Sequence, residues 1–301
     1  MLAPRALWMS FSGNCPKPVF YPTETASDNA DDEFQLGFNF FRRFASAGQQ
    51  PTYGYMGVAG SSASAIYNVW DVYAERRFGT LKLALEMPFA SGVIGGIPYS
   101  TFAALFEGSY EINKTWSAGL KAGYVPGATA VAGGPTTFDA FFVNPGYKIG
   151  LIMFNYNLAG FYGPATLNDP TVTGAGLRSI YDHPISDAIY FDVGGKVKFG
   201  DKWDAHGDLI YAVAPNGCTQ GTTCLNYWER KYYANTAGGN QSNALGFEVD
   251  LGGGFQFDDA FRLDLDLGVF LPGAFYQFTN VATQNVTDPV WAVVIKGGVE
   301  F

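Results

Sequence analysis

Residues 245–270, LGFEVDLGGGFQFDDAFRLDLDLGVF, set carboxylates at Glu248, Asp250, Asp264 and Asp266 among apolar side chains. Successive residues of a strand point to opposite faces, so Glu248, Asp250 and Gln256 share one face while Leu245, Phe247, Val249, Leu251, Phe255 and Phe257 share the other. After a turn at Asp258-Asp259 the pattern returns, with Arg262, Asp264 and Asp266 opposite Phe261, Leu263, Leu265, Leu267 and Val269. This predicts a hairpin with one charged and one oily face. Carboxylates lining a confined aqueous space would concentrate cations and repel anions. The alternation suits either a sheet resting on a protein core or strands whose oily face meets lipid.

Other residues carry chemical potential of their own. His206, in WDAHGDLIYA between Asp204 and Asp208, is one of two imidazoles in the chain, with His183. A hydrolase would also need a positioned nucleophile and an oxyanion pocket, and no motif supplies either, so His206 is read as a polar residue of the charged face and no catalytic residue is assigned. Cys218 and Cys224 enclose TQGTT, a spacing suited to a local disulfide in an oxidising compartment, and Cys15 is left over. No adjacent His or Cys completes a metal set there, so neither metal nor cofactor is expected. Gly252-Gly253-Gly254 serves either close approach to the wall or sheet curvature, and matches no phosphate loop.

These residues need a scaffold. The chain has 301 residues, 48% hydrophobic and 17% aromatic, and only 15% charged, against roughly 25% in an average soluble domain. A net charge of -9 and the lack of a basic stripe argue against nucleic acid as a partner. No apolar run approaches the roughly 20 residues of a transmembrane helix, so any membrane crossing must use strands. The opening MLAPRALWMSFSG is a poor signal peptide, which leaves the expectation that numbering begins on a mature chain or on a fragment.

Period-two segments bounded by turn residues predict about twelve strands, beginning near residues 34, 66, 81, 100, 115, 137, 147, 185, 203, 244, 260 and 289. Short turns at 79–80, 113–114, 144–146, 200–202 and 258–259 alternate with longer segments near 44–65, 91–99, 127–136, 157–184, 215–243 and 272–288. Phe78, Tyr110, Trp116, Phe199, Trp203, Phe257 and Phe261 flank the short turns, as a membrane-interface girdle would. The longest loops carry Phe161, Tyr162, Tyr181, Tyr227, Trp228, Tyr232 and Tyr233, suited to stacking on a solute or to packing the mouth of the fold.

The last strand, PVWAVVIKGGVEF, aligns Trp291, Val293, Ile295, Val299 and Phe301 and ends on Phe. It resembles the assembly signal of bacterial outer-membrane β-barrels. LALEMPFASG, FFVNPGYKIGLIMF and LGFEVDLGGGFQFDDAFRLDLDLGVFLPG are similar in texture to alginate-export-like porins of Gram-negative bacteria. The resemblance implies an all-β fold, an antiparallel transmembrane β-barrel over 34–301, with 1–33 an irregular segment or the remnant of missing strands. It also implies the outer membrane as location, the bilayer and the outer-membrane assembly machinery as partners, and passive passage of a small hydrophilic solute. The expected lumen residues include Asp71, Glu75, Glu107, Lys196, Lys198, Asp204, His206, Asp208, Glu248, Asp250, Arg262, Asp264 and Asp266. Lys196 and Lys198 are expected near Asp204 and Asp208, and Arg262 near Glu248 or Asp250. Acids outnumber bases, which favours cations or neutral sugars and departs from the basic lumen an anionic polysaccharide would need. The competing classes are an outer-membrane esterase, a soluble secreted carbohydrate-binding β protein, and a barrel acting only as adhesin or scaffold.

Overall fold

Alternation of oily and polar side chains produces strands wherever it is regular. The computed structural model describes residues 34–45, 65–94, 96–144, 146–155, 185–226, 231–258, 260–280 and 284–299. Residues 1–33, Glu300 and Phe301 lie outside the described residues. The strands are β1 (Phe34–Ala45), β2 (Ala65–Phe78), β3 (Leu81–Ile94), β4 (Ile97–Phe102), β5 (Ala104–Glu111), β6 (Trp116–Val125), β7 (Ala188–Phe199), β8 (Trp203–Val213), β9 (Thr223–Asn226), β10 (Lys231–Ala234), β11 (Ala244–Gln256), β12 (Phe261–Pro272) and β13 (Val290–Val299). One antiparallel sheet runs β1-β2-β3-β5-β6-β7-β8-β11-β12-β13, with β4 also on β3, while β9 and β10 form a separate ribbon.

β4 and β5 occupy a single place in this sheet. Phe89 pairs with Phe102 and Glu86 with Leu105, so the register against β3 never shifts. The interruption falls at Pro88, which accepts a bond at its carbonyl from the Ala103 amide (3.0 Å) but has no N–H to return. The sheet is therefore ten strands wide. Among the described residues β1 and β13 each have one strand neighbour, and the path is open.

Two predicted strands do not form. The residues expected to begin strands near 137 and 147 belong instead to an irregular segment, 126–155, between β6 and β7. The reason lies in its pattern: Ala140, Phe141, Phe142 and Val143 are buried in succession, as are Ile152, Met153 and Phe154. A strand with one wet face cannot bury consecutive residues in this way. Asn144 and Gly146, expected to flank Pro145 in a hairpin turn, lie within this segment rather than between strands, and Pro145 itself is outside the described residues. The long connection expected at 91–99 is also absent, because β3 continues to Ile94 and β4 starts at Ile97.

Short connections gather at one end of the sheet. They join β2 to β3, β5 to β6, β7 to β8 and β11 to β12, and Gly79 (φ 59°) and Gly200 (φ 66°) supply the left-handed residues two of them need. Except for the β3–β4 turn, connections at the other end are long. The two faces of the sheet differ sharply. One carries Trp291 at 73% exposure, Ile295 at 70% and Leu36 at 69%, while Glu248, on the other, is 0% exposed. The oily face is the open one, and the charged face holds the buried acids Asp71, Glu86, Asp192 and Glu248.

Candidate functional site

The charged face is built by one side-chain parity of every strand. Asp71 and Glu75 lie on β2, Glu107 on β5, Lys196 and Lys198 on β7, Asp204, His206 and Asp208 on β8, Glu248 and Asp250 on β11, and Arg262, Asp264 and Asp266 on β12. From the short turns to the middle of the sheet these residues pair. Lys82 reaches Glu75 at 2.8 Å, Lys121 reaches Asp192 at 3.2 Å and Lys196 reaches Asp204 at 3.2 Å. The Tyr73 hydroxyl also donates to Glu75.

Arg262 does not meet Glu248 or Asp250, as the sequence suggested. The register sets it against Gln256, with Glu248 eight residues further along β11, about 26 Å at ~3.3 Å per residue. Its guanidinium donates instead to Asp204 (2.7 Å) and Asp264 (2.8 Å). Asp204 is two strands away, and the bond is possible because the intervening β11 position is Gly254, where a Cβ would collide with the guanidinium. Gly252 plays the same part for His206, whose Nε2 lies 3.2 Å from Asp266, and Lys296 donates to the second oxygen of Asp266 at 2.6 Å. The space above Gly194 is taken by Asp208. Glycine on the charged face thus lets ion pairs bridge next-nearest strands.

Towards the long loops the same face turns apolar. Tyr67, Ile94, Leu105, Val125, Tyr190, Ile210 and Phe270 are buried there against segment 126–155. Phe138 exchanges backbone bonds with Pro98 and Ser100 (2.8 and 3.1 Å), and its ring lies 5.4 Å from that of Tyr99. Val143 bonds to Ile185 and the Tyr147 hydroxyl meets that of Tyr190 at 3.0 Å.

The tip of the segment is fixed by carboxylates of the wall. The Leu151 amide donates to Asp250 (2.8 Å), and the Ile152 and Met153 amides donate one to each oxygen of Glu248 (2.7 and 2.5 Å). Consecutive N–H groups directed at an anion form a nest, here filled by the protein's own side chains. Each such charge-assisted bond contributes about 1.5–3 kcal/mol. Asn155 donates to the Leu151 carbonyl, Lys148 donates to that of Phe154, and Phe154 adopts φ 59°, which closes the turn. Sequence reading identified both carboxylates but not this use, since they lie nearly a hundred residues from their donors.

Above the charged face, Cys218 and Cys224 form a disulfide, and Phe278 packs on it. Val131 and Thr223 exchange backbone bonds, which tie segment 126–155 to the β9–β10 ribbon. Of the loop aromatics, Tyr232 and Tyr233 lie on β10, and the others fall outside the described residues.

The oily face carries a second regularity, missed in the sequence. The pairs Trp70 and Phe78, Phe102 and Tyr110, Trp116 and Tyr124, Phe191 and Phe199, Trp203 and Tyr211, and Phe247 and Phe255 are each eight residues apart, on one strand or, for Phe102 and Tyr110, across the β4–β5 interruption. Phe191, Tyr211 and Phe247 stand side by side in register, as do Phe199, Trp203 and Phe255 at the turn end. Two aromatic rows result. Between them on β3, β5, β6, β7, β8 and β11 this face bears only Ala, Gly, Val, Leu and Met, with Phe106 on β5. Phe257 and Phe261 extend the turn-end row, with ring centroids 5.1 Å apart.

No protein-family profile matches the chain, and no curated protein matches it in sequence.

The glycine gaps give a direct test. Gly254→Val should displace Arg262 from Asp204 and lower stability by about 1–3 kcal/mol, as overpacking does. Gly298→Ala, where nothing lies within 4 Å of the added carbon, should leave the thermal midpoint unchanged.

Proposed function

We propose that this chain is a β-barrel of the bacterial outer membrane that passes small hydrophilic solutes and favours cations. The observation that carries this reading is the pair of aromatic rows bounding an exposed apolar band, into which β2 sets one charge, Arg76, with its guanidinium over the Phe78 ring at the turn-end margin. Eight residues span about 26 Å of strand at ~3.3 Å each, or roughly 20 Å of height at a tilt of about 40°, close to the roughly 25 Å apolar band of such barrels. Aromatic rings at both margins suit a headgroup boundary, where one edge is wet and the other apolar.

Further features agree. Tight turns at one end and long connections at the other match the asymmetry of outer-membrane barrels. The ten-strand width is even, so β1 and β13 run antiparallel to each other, and joining their free edges would continue the pattern of every other pair. Closure would also satisfy the two rows of backbone groups that hydrocarbon cannot. The resemblance of the last strand to an outer-membrane assembly signal points the same way.

Cation preference follows from the enclosed face. Asp71, Glu86, Glu107, Asp192 and Asp208 crowd its middle, where Lys121 is the nearby base. A soluble carbohydrate-binding protein would need another layer over the oily face. An esterase would need a nucleophile beside His206, whose Nε2 instead faces Asp266.

Leu209→Arg, in the middle of the oily band, should cost about 2–4 kcal/mol if that band lies in lipid, and should abolish heat-modifiable gel migration after refolding into vesicles. A fold that is unaffected would refute the membrane assignment. In planar bilayers under a salt gradient the wild-type reversal potential should favour cations. Asp264→Asn with Asp266→Asn, which strips partners from Arg262, His206 and Lys296, should move it towards anions, whereas Asp288→Asn in the exposed connection before β13 should not.

A further inference from the structure

We propose that the tip of segment 126–155, residues 150–153, is a displaceable plug, and that Glu248 and Asp250 are the latch that holds it closed. The inference rests on the barrel reading above, because only an enclosed passage gives the plug something to close.

Four observations converge. The plug blocks the route, since Ile152 and Met153 are 0% exposed in the middle of the charged face, with Ile210 and Phe270 equally buried beside them. It sits in a shaped seat: a Cβ on Gly150 would come within 2.8 Å of Ile210 and 2.9 Å of Glu248, and one on Gly268 within 3.0 Å of Leu151. The tip is not woven into the sheet, because Leu151, Ile152 and Met153 give their amides to side chains rather than to a strand edge.

The fourth observation concerns the choice of acceptor. A permanently packed loop can be held by neutral carbonyl or amide oxygens, whereas adjacent buried carboxylates repel one another and lose hydration. Among the described residues, the ion pairs use Glu75, Asp192, Asp204, Asp264 and Asp266, and neither Glu248 nor Asp250. That arrangement suits groups that alternate between two partners, the plug amides when shut and water with a passing cation when open. The latch residues then belong to the cation-selecting surface of the open state.

The test uses the full chain with Cys15→Ser, refolded into phosphatidylethanolamine–phosphatidylglycerol vesicles, with Met153→Cys as a reporter labelled by a membrane-impermeant maleimide. Wild-type latch residues should give slow labelling, and E248Q with D250N should accelerate it at least tenfold and raise single-channel conductance. Gly268→Val, which crowds the seat without changing charge, should accelerate labelling too, and it decides the matter if the latch variant does not regain heat-modifiable migration. Unchanged labelling in folded variants would overturn the latch and leave the passage reading intact. Accelerated labelling without conductance in any variant would instead sink the passage reading while the tip still proved displaceable.

Discussion

The structure depends on the two-residue period of a β-strand. Every strand must show one solvent to its odd positions and another to its even ones, and hydrogen-bonded register forces ten strands to agree on which is which. The agreement here is the reverse of a soluble sheet. Leucine, valine and aromatic rings lie on the open side, and Asp71, Glu86, Asp192, Glu248 and Asp266 are buried on the other. On the proposed outer-membrane reading, the open face meets lipid and the charged face lines the passage.

Within the charged face, glycine governs which charges can meet. Directly opposed strand neighbours would allow only short pairings, yet Arg262 reaches Asp204 across Gly254, and His206 reaches Asp266 across Gly252. The run Gly252-Gly253-Gly254 therefore works through two of its members on the charged side. These bridges concentrate the bases near the short turns. Glu248 and Asp250, further along β11, are left to bond with backbone amides of the inserted segment.

Much of the sheet could be read from the sequence, because alternation and turn residues are local signals. The starts at 34, 81, 203 and 244 coincide with those of β1, β3, β8 and β11, and 66, 115, 260 and 289 fall one residue from those of β2, β6, β12 and β13. Two strands were misplaced where local signals mislead. FFVNPGYKIGLIMF contains a turn between two apolar runs and so imitates a hairpin, but its runs bury successive residues because the segment is packed on several sides. Nor was the apolar half of the covered face legible. Val125, Ile210 and Phe270 extend charged parities, and only their contact with the inserted segment explains the change of character. The eight-residue aromatic spacing was present in the sequence throughout, and it becomes meaningful once register lines the strands up.

The gathering of tight turns at one end of the sheet has a consequence for how such a fold reaches its place. Gly79-Thr80 and Gly200-Asp201-Lys202 are small hairpin tips, whereas the disulfide-braced ribbon and segment 126–155 are bulky. On the outer-membrane reading, the compact tips would remain at the periplasmic side and the bulky, partly charged elements would have to traverse the hydrocarbon. Delivery of that polar cargo, more than strand pairing, would then set the pace of assembly.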